Sequence, residues 1–184
     1  PVTALTYNLG NGLAAPDTLF PMLRESGADI VALQEVTAET AAALEADLSD
    51  RYPYQVSQGL GIEGKALLSR YPILTYDWLE MDLKGTGLAL MVAPPPPPAL
   101  SWSGIHPRPG TEHQMTSLIE LIGATEEPLL LLGDLNITQM HDVHGELEAV
   151  GLQDTFQVAG NGLGFTIPAR IAKLEAVSST LGEA

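Results

Sequence analysis

Five polar residues stand where apolar runs of this chain stop. Asn8 follows the run Val2–Tyr7, Glu35 closes Ile30–Leu33 after Gln34, His106 follows Leu100–Ile105, and Asp134 with Asn136 follows Leu129–Leu132. Two carboxylates and two amide oxygens are hard oxygen donors, the set that Mg²⁺ or Mn²⁺ takes, whereas one candidate histidine and no cysteine argue against zinc. Each residue alone has a second reading. Asn8 could open the turn at Gly10 and Gly12, Glu35 could be a helix-entry charge, Asp134 could sit in an Asx-turn, Asn136 could cap a turn, and His106 could be a hydrogen-bonded structural histidine. The ordered set carries more weight than any member, because the ends of strands on a rigid sheet are platforms on which side chains converge.

The elements that would position these residues follow from the pattern. Val2–Tyr7 reads as a strand, Asp17 as the N-cap of a helix with Leu19, Met22 and Leu23 at helical spacing, and Gly27 as its stop. Ile30–Leu33 is an unbroken apolar run, as in a strand covered on both faces, and Thr37 caps a second helix over Ala38–Leu48. Shorter strand-like pieces (Tyr54–Ser57, Lys65–Ser69, Ile73–Leu79, Leu88–Val92) are separated by Gly, Pro and Asp, which predicts an antiparallel meander. Pro94–Pro98 should form a polyproline II connector. Leu100–Ile105 then reads as a strand, Thr111–Ile122 as an amphipathic helix, Leu129–Leu132 as a buried strand and Val143–Val150 as a last helix, with Asp142 and His144 near its entrance.

The chain has 184 residues, 45% of them hydrophobic and 17% charged, with a mean hydropathy of +0.13. That composition belongs to an ordered domain of its own core. The absence of cysteine removes disulfides and thiolate chemistry. A net charge of −15 opposes binding to a polyanion through a field of basic residues. The uncharged run Gly85–Ile105 is long enough to span a bilayer, but the prolines inside it would break a helix, so no membrane-spanning segment is expected. No signal-like stretch opens the chain at Pro1; the expected location is cytoplasmic, or extracytoplasmic with an upstream anchor or signal removed. No pattern bears on the oligomeric state.

Five segments in order resemble the endonuclease/exonuclease/phosphatase superfamily, the deoxyribonuclease-I-like fold. They are Thr6-Tyr7-Asn8, Asp29-Ile30-Val31-Ala32-Leu33-Gln34-Glu35, Ala66-Leu67-Leu68-Ser69-Arg70-Tyr71-Pro72-Ile73, Gly104-Ile105-His106-Pro107 and Leu132-Gly133-Asp134-Leu135-Asn136. With Phe165-Thr166-Ile167-Pro168 the chain looks most like the bacterial, poorly characterised branch, over Val2 to Pro168. The resemblance implies an α/β fold, a four-layer sandwich of two mixed, mostly antiparallel sheets flanked by helices, with 1–184 as one domain. It implies phosphoester hydrolysis by water with a divalent cation, Mg²⁺ or Mn²⁺. Glu35 would then be the metal ligand and Asn8 a contact to metal or phosphate. Asp134 would orient the attacking water or serve the leaving group, Asn136 would bind a phosphate oxygen, and His106 would donate to the phosphoryl group. Arg108, two residues beyond His106, would add positive charge toward the substrate; Lys65 and Arg70 are further basic candidates, Arg70 more in keeping with a structural role.

The family ordinarily closes with Arg-Ile-Asp and then Ser-Asp-His. Here Arg170-Ile171 is followed by Ala172, and no histidine follows His144. The expectation is therefore a sandwich incomplete at its C-terminal edge, atypical or truncated from about residue 169, with impaired activity, because members of a catalytic group act as a unit. The alternative is a non-catalytic relative acting as a binding module. The acidic charge shifts the expected substrate toward small or exposed phosphoesters and away from long duplex DNA.

Overall fold

In the computed structural model, the described residues are 2–73, 79–83, 86–91, 99–101, 104–106, 111–126, 129–135, 137 and 139–162. The chain divides into two compact units, Pro1–Val150 and Gly151–Ala184.

The first unit begins with strand β1 (Ala4–Asn8), helix α1 (Pro16–Glu25) and strand β2 (Ile30–Gln34), and β1 and β2 pair in parallel with Asn8 opposite Gln34. Parallel neighbours need a crossover, which α1 provides. The helix starts two residues earlier than Asp17 as an N-cap would require: Ala15 is the N-cap, Pro16 takes the first turn, and Asp17 lies within that turn. Proline suits that place because its missing N–H would have had no partner in the helix. Ser26 caps the other end, and Gly27 turns the chain away at φ +70°.

Helix α2 (Ala38–Leu48) runs as its sequence predicts, with the Thr37 side chain accepting the Thr40 N–H. Strands β3 (Tyr54–Gln58) and β4 (Lys65–Ser69) complete a mixed sheet in the order β1-β2-β4-β3, and β4 runs antiparallel to both neighbours. A strand has two edges, and both edges of β4 are taken. The expected meander therefore breaks after β4, and the next strands belong to another sheet. There β5 (Leu79–Leu83) pairs antiparallel with β6 (Thr86–Met91), which pairs in parallel with β9 (Leu129–Leu131). Of the expected strand Ile73–Leu79, residues 74–78 lie outside the described residues, and Leu79 begins β5.

The run Leu100–Ile105 is two strands, not one. In β7 (Ala99–Ser101) and β8 (Gly104–His106) the register sets Ala99 against His106 and Ser101 against Gly104, so the chain reverses inside the apolar run. Helix α3 (Thr111–Ala124) packs against α4 (Asp142–Ala149), whose N-cap is His141, with Asp142 in the first turn. The second unit contributes α5 (Thr155–Ala159), capped by the Asp154 carboxylate, an element the sequence reading did not anticipate. Pro94–Pro98 and the segment beyond 169 lie outside the described residues.

Strand β2 explains how the site is held. All five of its residues are buried, and they divide by the alternation of a strand. Val31 and Leu33, with Leu68 and Ala66 opposite them on β4, face Leu19, Phe20 and Leu23 of α1 and Leu44 and Leu48 of α2. Ile30 and Ala32, with Leu67, pack on the other side with Leu132 and the half-buried Leu130 from the β9 segment. Tyr52 is fully buried and its hydroxyl lies 3.1 Å from the Leu23 carbonyl oxygen and 3.2 Å from that of Ala28, joining the end of α1 to the approach to β2.

Polar ties secure the start of β2. Asp29 accepts the Thr3 N–H at 2.9 Å and an Arg70 N–H at 2.9 Å, which gives Arg70 a structural role at the end of the sheet away from Glu35. On the surface Arg24 pairs with Asp50 at 2.8 Å and donates to the Asp47 carbonyl. The hydrogen bond to Arg24, reinforced by its charge, holds the Asp50 carboxyl below its ordinary range. That contribution is complete above the ordinary carboxylate pKa and fades as pH falls through the lowered one; screening by water keeps it small.

Candidate active site

Three of the expected site residues meet where β1, β2 and the β9 segment end. Asn8 is the last residue of β1, Glu35 follows β2, and Asp134 lies three residues beyond β9. The Asn8 side-chain amide donates to both carboxylates, at 3.0 Å to Glu35 Oε1 and 2.9 Å to Asp134 Oδ2. The two acids therefore converge on one nitrogen although they stand far apart in the chain. The Asn8 side-chain oxygen, Oδ1, accepts the Gly10 N–H at 2.8 Å, which orients the amide with its nitrogen toward the acids. In this arrangement Asn8 acts as a spacer that keeps two like charges side by side.

The loops that carry these residues are shaped by unusual backbone. Gly10, Asn11 and Gly12 all have positive φ, so the chain coils back immediately after β1, and Leu9 N–H donates to the Gln34 carbonyl to hold the two strand ends in register. Glu35 itself has φ +56°. Outside glycine and asparagine that left-handed conformation costs roughly 1–2 kcal/mol, and such strain collects at functional positions. Beneath the site the buried Gln34 side chain donates to Thr6 Oγ1 at 3.1 Å, tying β1 to β2 two residues before Asn8 and one before Glu35.

Lys65 sits opposite Gln34 in the β2–β4 register, at the same end of the sheet as Glu35. His106 ends β8, opposite Ala99. Arg108 and Asn136 lie outside the described residues. Sequence reasoning placed the turn at Gly10 and Gly12 after Asn8 but missed the segment Gly59–Gly64, whose spacing of glycines at 59, 61 and 64 was the available signal.

Among the described residues no group of three or more His, Cys, Asp and Glu side chains is disposed to hold a metal ion. A Glu–Asp pair beside an amide is nevertheless a set of hard oxygens, and Mg²⁺ is ordinarily held by one or two carboxylates together with water and substrate phosphate. The donor chemistry fits a Mg²⁺ or Mn²⁺ ion.

The model of the Endonuclease/Exonuclease/phosphatase family matches residues 5–174. The chain belongs to this family. Solved structures share the fold at low identity. The 3'-5' exonuclease NExo from Neisseria meningitidis is 20% identical over 96% of this chain and 82% of its own, with a TM-score of 0.58. A double mutant of beta toxin from Staphylococcus aureus, with bound magnesium ions, is 16% identical over 82% of this chain and 70% of its own, with a TM-score of 0.57. TDP2 from D. rerio, in complex with a single-strand DNA product, is 16% identical over 82% of this chain and 64% of its own, with a TM-score of 0.56. No curated protein matches significantly. As a member of the family, the protein is of the nuclease and phosphoesterase type of hydrolase, built on an α/β fold with a mixed four-stranded sheet. Among the described residues no helix is long and apolar enough to cross a membrane.

Proposed function

We propose that this protein is a divalent-metal-dependent phosphoesterase that hydrolyses a phosphodiester or phosphomonoester with water. The observation that carries the reading is the Asn8 amide joining Glu35 and Asp134 at the ends of separate strands. Glu35 would hold Mg²⁺ or Mn²⁺, with Asn8 beside it as a contact to metal or phosphate. When bound, the cation neutralises charge on the phosphoryl oxygens and makes the phosphorus open to attack.

The chain's own residues divide the remaining work. Asp134 holds the attacking water in line and takes its proton, for which a carboxylate is required. His106 donates a hydrogen bond to the phosphoryl group, Asn136 binds one of its oxygens, and Arg108 adds positive charge where substrate enters. The surrounding architecture in this reading is a four-layer sandwich with 1–184 as one family domain. The packing of Leu130 and Leu132 on the face of β2 opposite its helices supports a second sheet on that side.

With a net charge of −15, the substrate is a small or exposed phosphoester in preference to long duplex DNA. Ala172, standing where the family pattern has aspartate, favours the rival of a binding module without turnover. Rates on a small chromogenic phosphodiester and on duplex DNA, at equal phosphate concentration with Mg²⁺, separate these readings. Faster turnover of the small ester supports the proposal. Binding of Mg²⁺ without turnover of either supports the rival, and faster cleavage of the duplex overturns the substrate assignment.

A further inference from the structure

The left-handed backbone of Glu35 carries a conformational cost, and the segment Gly59–Gly64 packs against the residue that follows it. The residue after Glu35 has both backbone polar groups bonded to that segment: Val36 N–H donates to the Gly64 carbonyl at 3.2 Å, and the Val36 carbonyl accepts the Gly61 N–H at 2.9 Å. A short 3-10 turn, Gly61–Glu63, closes with Gly64 N–H on the Gly61 carbonyl at 2.8 Å. Donor and acceptor are therefore set at fixed spacing against a single residue of the elbow.

Three glycines make the approach possible. A Cβ on Gly64 would overlap the Val36 carbonyl oxygen, and one on Gly59 would lie 2.5 Å from Ala38 Cα. Gly61, at φ +66°, comes so close to the loop after Asn8 that a Cβ would lie 2.9 Å from Asn11 Oδ1. One segment thus touches the backbone that carries Glu35 and the loop that follows Asn8. Beyond Gly64 the chain enters β4, where Lys65 is registered opposite Gln34, so the segment is anchored to the same sheet.

We propose that Gly59–Gly64 is a positioning clamp: its glycines let the backbone close on Val36 and Ala38, hold Glu35 in its left-handed conformation, and so aim the Glu35 carboxylate for cation binding. The inference rests on the proposed role of Glu35 as metal ligand. Gly64 is the central positioning residue, because its close contact falls on the Val36 carbonyl while its own carbonyl accepts the N–H of the peptide that joins Glu35 to Val36. Displacing that peptide by the width of a methyl group swings the carboxylate off the Asn8–Asp134 pair.

Two measurements on the full chain test this. In the first, Mn²⁺ affinity is measured by electron paramagnetic resonance for the wild type, Gly64→Ala and Gly27→Ala. Gly27 has φ +70°, and a Cβ added there would meet nothing within 4 Å, so its alanine variant loses stability through left-handed backbone away from the site, whereas Gly64, at φ −68°, is affected by overlap with the Val36 carbonyl. The expected result is Mn²⁺ binding about tenfold weaker in Gly64→Ala, the scale of losing a support behind a ligand, and unchanged in Gly27→Ala. Equal losses in both variants would overturn the clamp and leave only general destabilisation.

The second measurement needs no metal. Glu35→Gly removes the side chain from a left-handed position and is expected to raise the melting temperature of the wild type. In a Gly64→Ala background the elbow is already released, and the rise should vanish. Equal shifts in the two backgrounds overturn the proposal. A wild type that binds no Mn²⁺ defeats the metal-site reading, while the melting comparison still decides the clamp. Where Gly64→Ala does not fold, Gly61→Ala replaces it, since its contact is the movable end of the Asn11 side chain.

Discussion

Glu35→Gln is expected to lower metal-dependent turnover by roughly 10²-fold or more, since loss of a ligand should cost at least as much as loss of the groups that support one. The substitution keeps the length of the side chain and an oxygen to accept the Asn8 N–H now directed at Oε1. It removes one of two carboxylates gathered on the same amide nitrogen. Stability without metal should therefore stay within about 0.5 kcal/mol of the wild type, as for substitutions that create no cavity and orphan no buried group. Rates across a Mg²⁺ titration and chemical denaturation of the metal-free protein check the two halves separately. Undiminished turnover would remove Glu35 from the site. A large loss of stability would show that the carboxylate serves the fold rather than the chemistry.

Asp134→Asn should have the second large effect, of a different kind. An amide at this position still offers an oxygen to the Asn8 nitrogen 2.9 Å away but no longer accepts a proton at neutral pH. A loss of about 10²- to 10⁴-fold in kcat is the range for removal of a general base. Because Glu35 remains, Mn²⁺ affinity should fall far less than in Glu35→Gln. The pair of variants thus separates cation binding from proton transfer. Were the two variants to lose affinity equally, both acids would be ligands and the water would be activated elsewhere.

Much of this arrangement is legible in the sequence, and the reason is local. Helix α2 is announced by Thr37, a side chain that can cap, followed by a run rich in alanine, and it occupies the expected residues. Strand β2 is announced by four consecutive apolar residues, and both of its faces are indeed covered. The convergence of Asn8, Glu35 and Asp134 follows from the position of each at the end of an apolar run. What could not be read depends on partners distant in the chain. Nothing in Lys65–Ser69 says that β4 is taken up by β2 and β3 and unavailable to β5. The reversal between Ser101 and Gly104 lacks the paired turn residues that mark a hairpin. Nor does glutamate signal a left-handed backbone: the glycines that impose it at Glu35 lie in another segment, so the strain becomes visible only once the chain is folded.

The central claim is that two carboxylates held by Asn8 serve a divalent cation in phosphoester hydrolysis. Its most direct test is turnover of a small chromogenic phosphodiester by protein stripped with a chelator and then titrated with Mg²⁺. The account predicts negligible rate in the stripped protein and a saturable return as Mg²⁺ is added, with Glu35→Gln failing to recover. Turnover indifferent to the chelator, or equal recovery by Glu35→Gln, would contradict it.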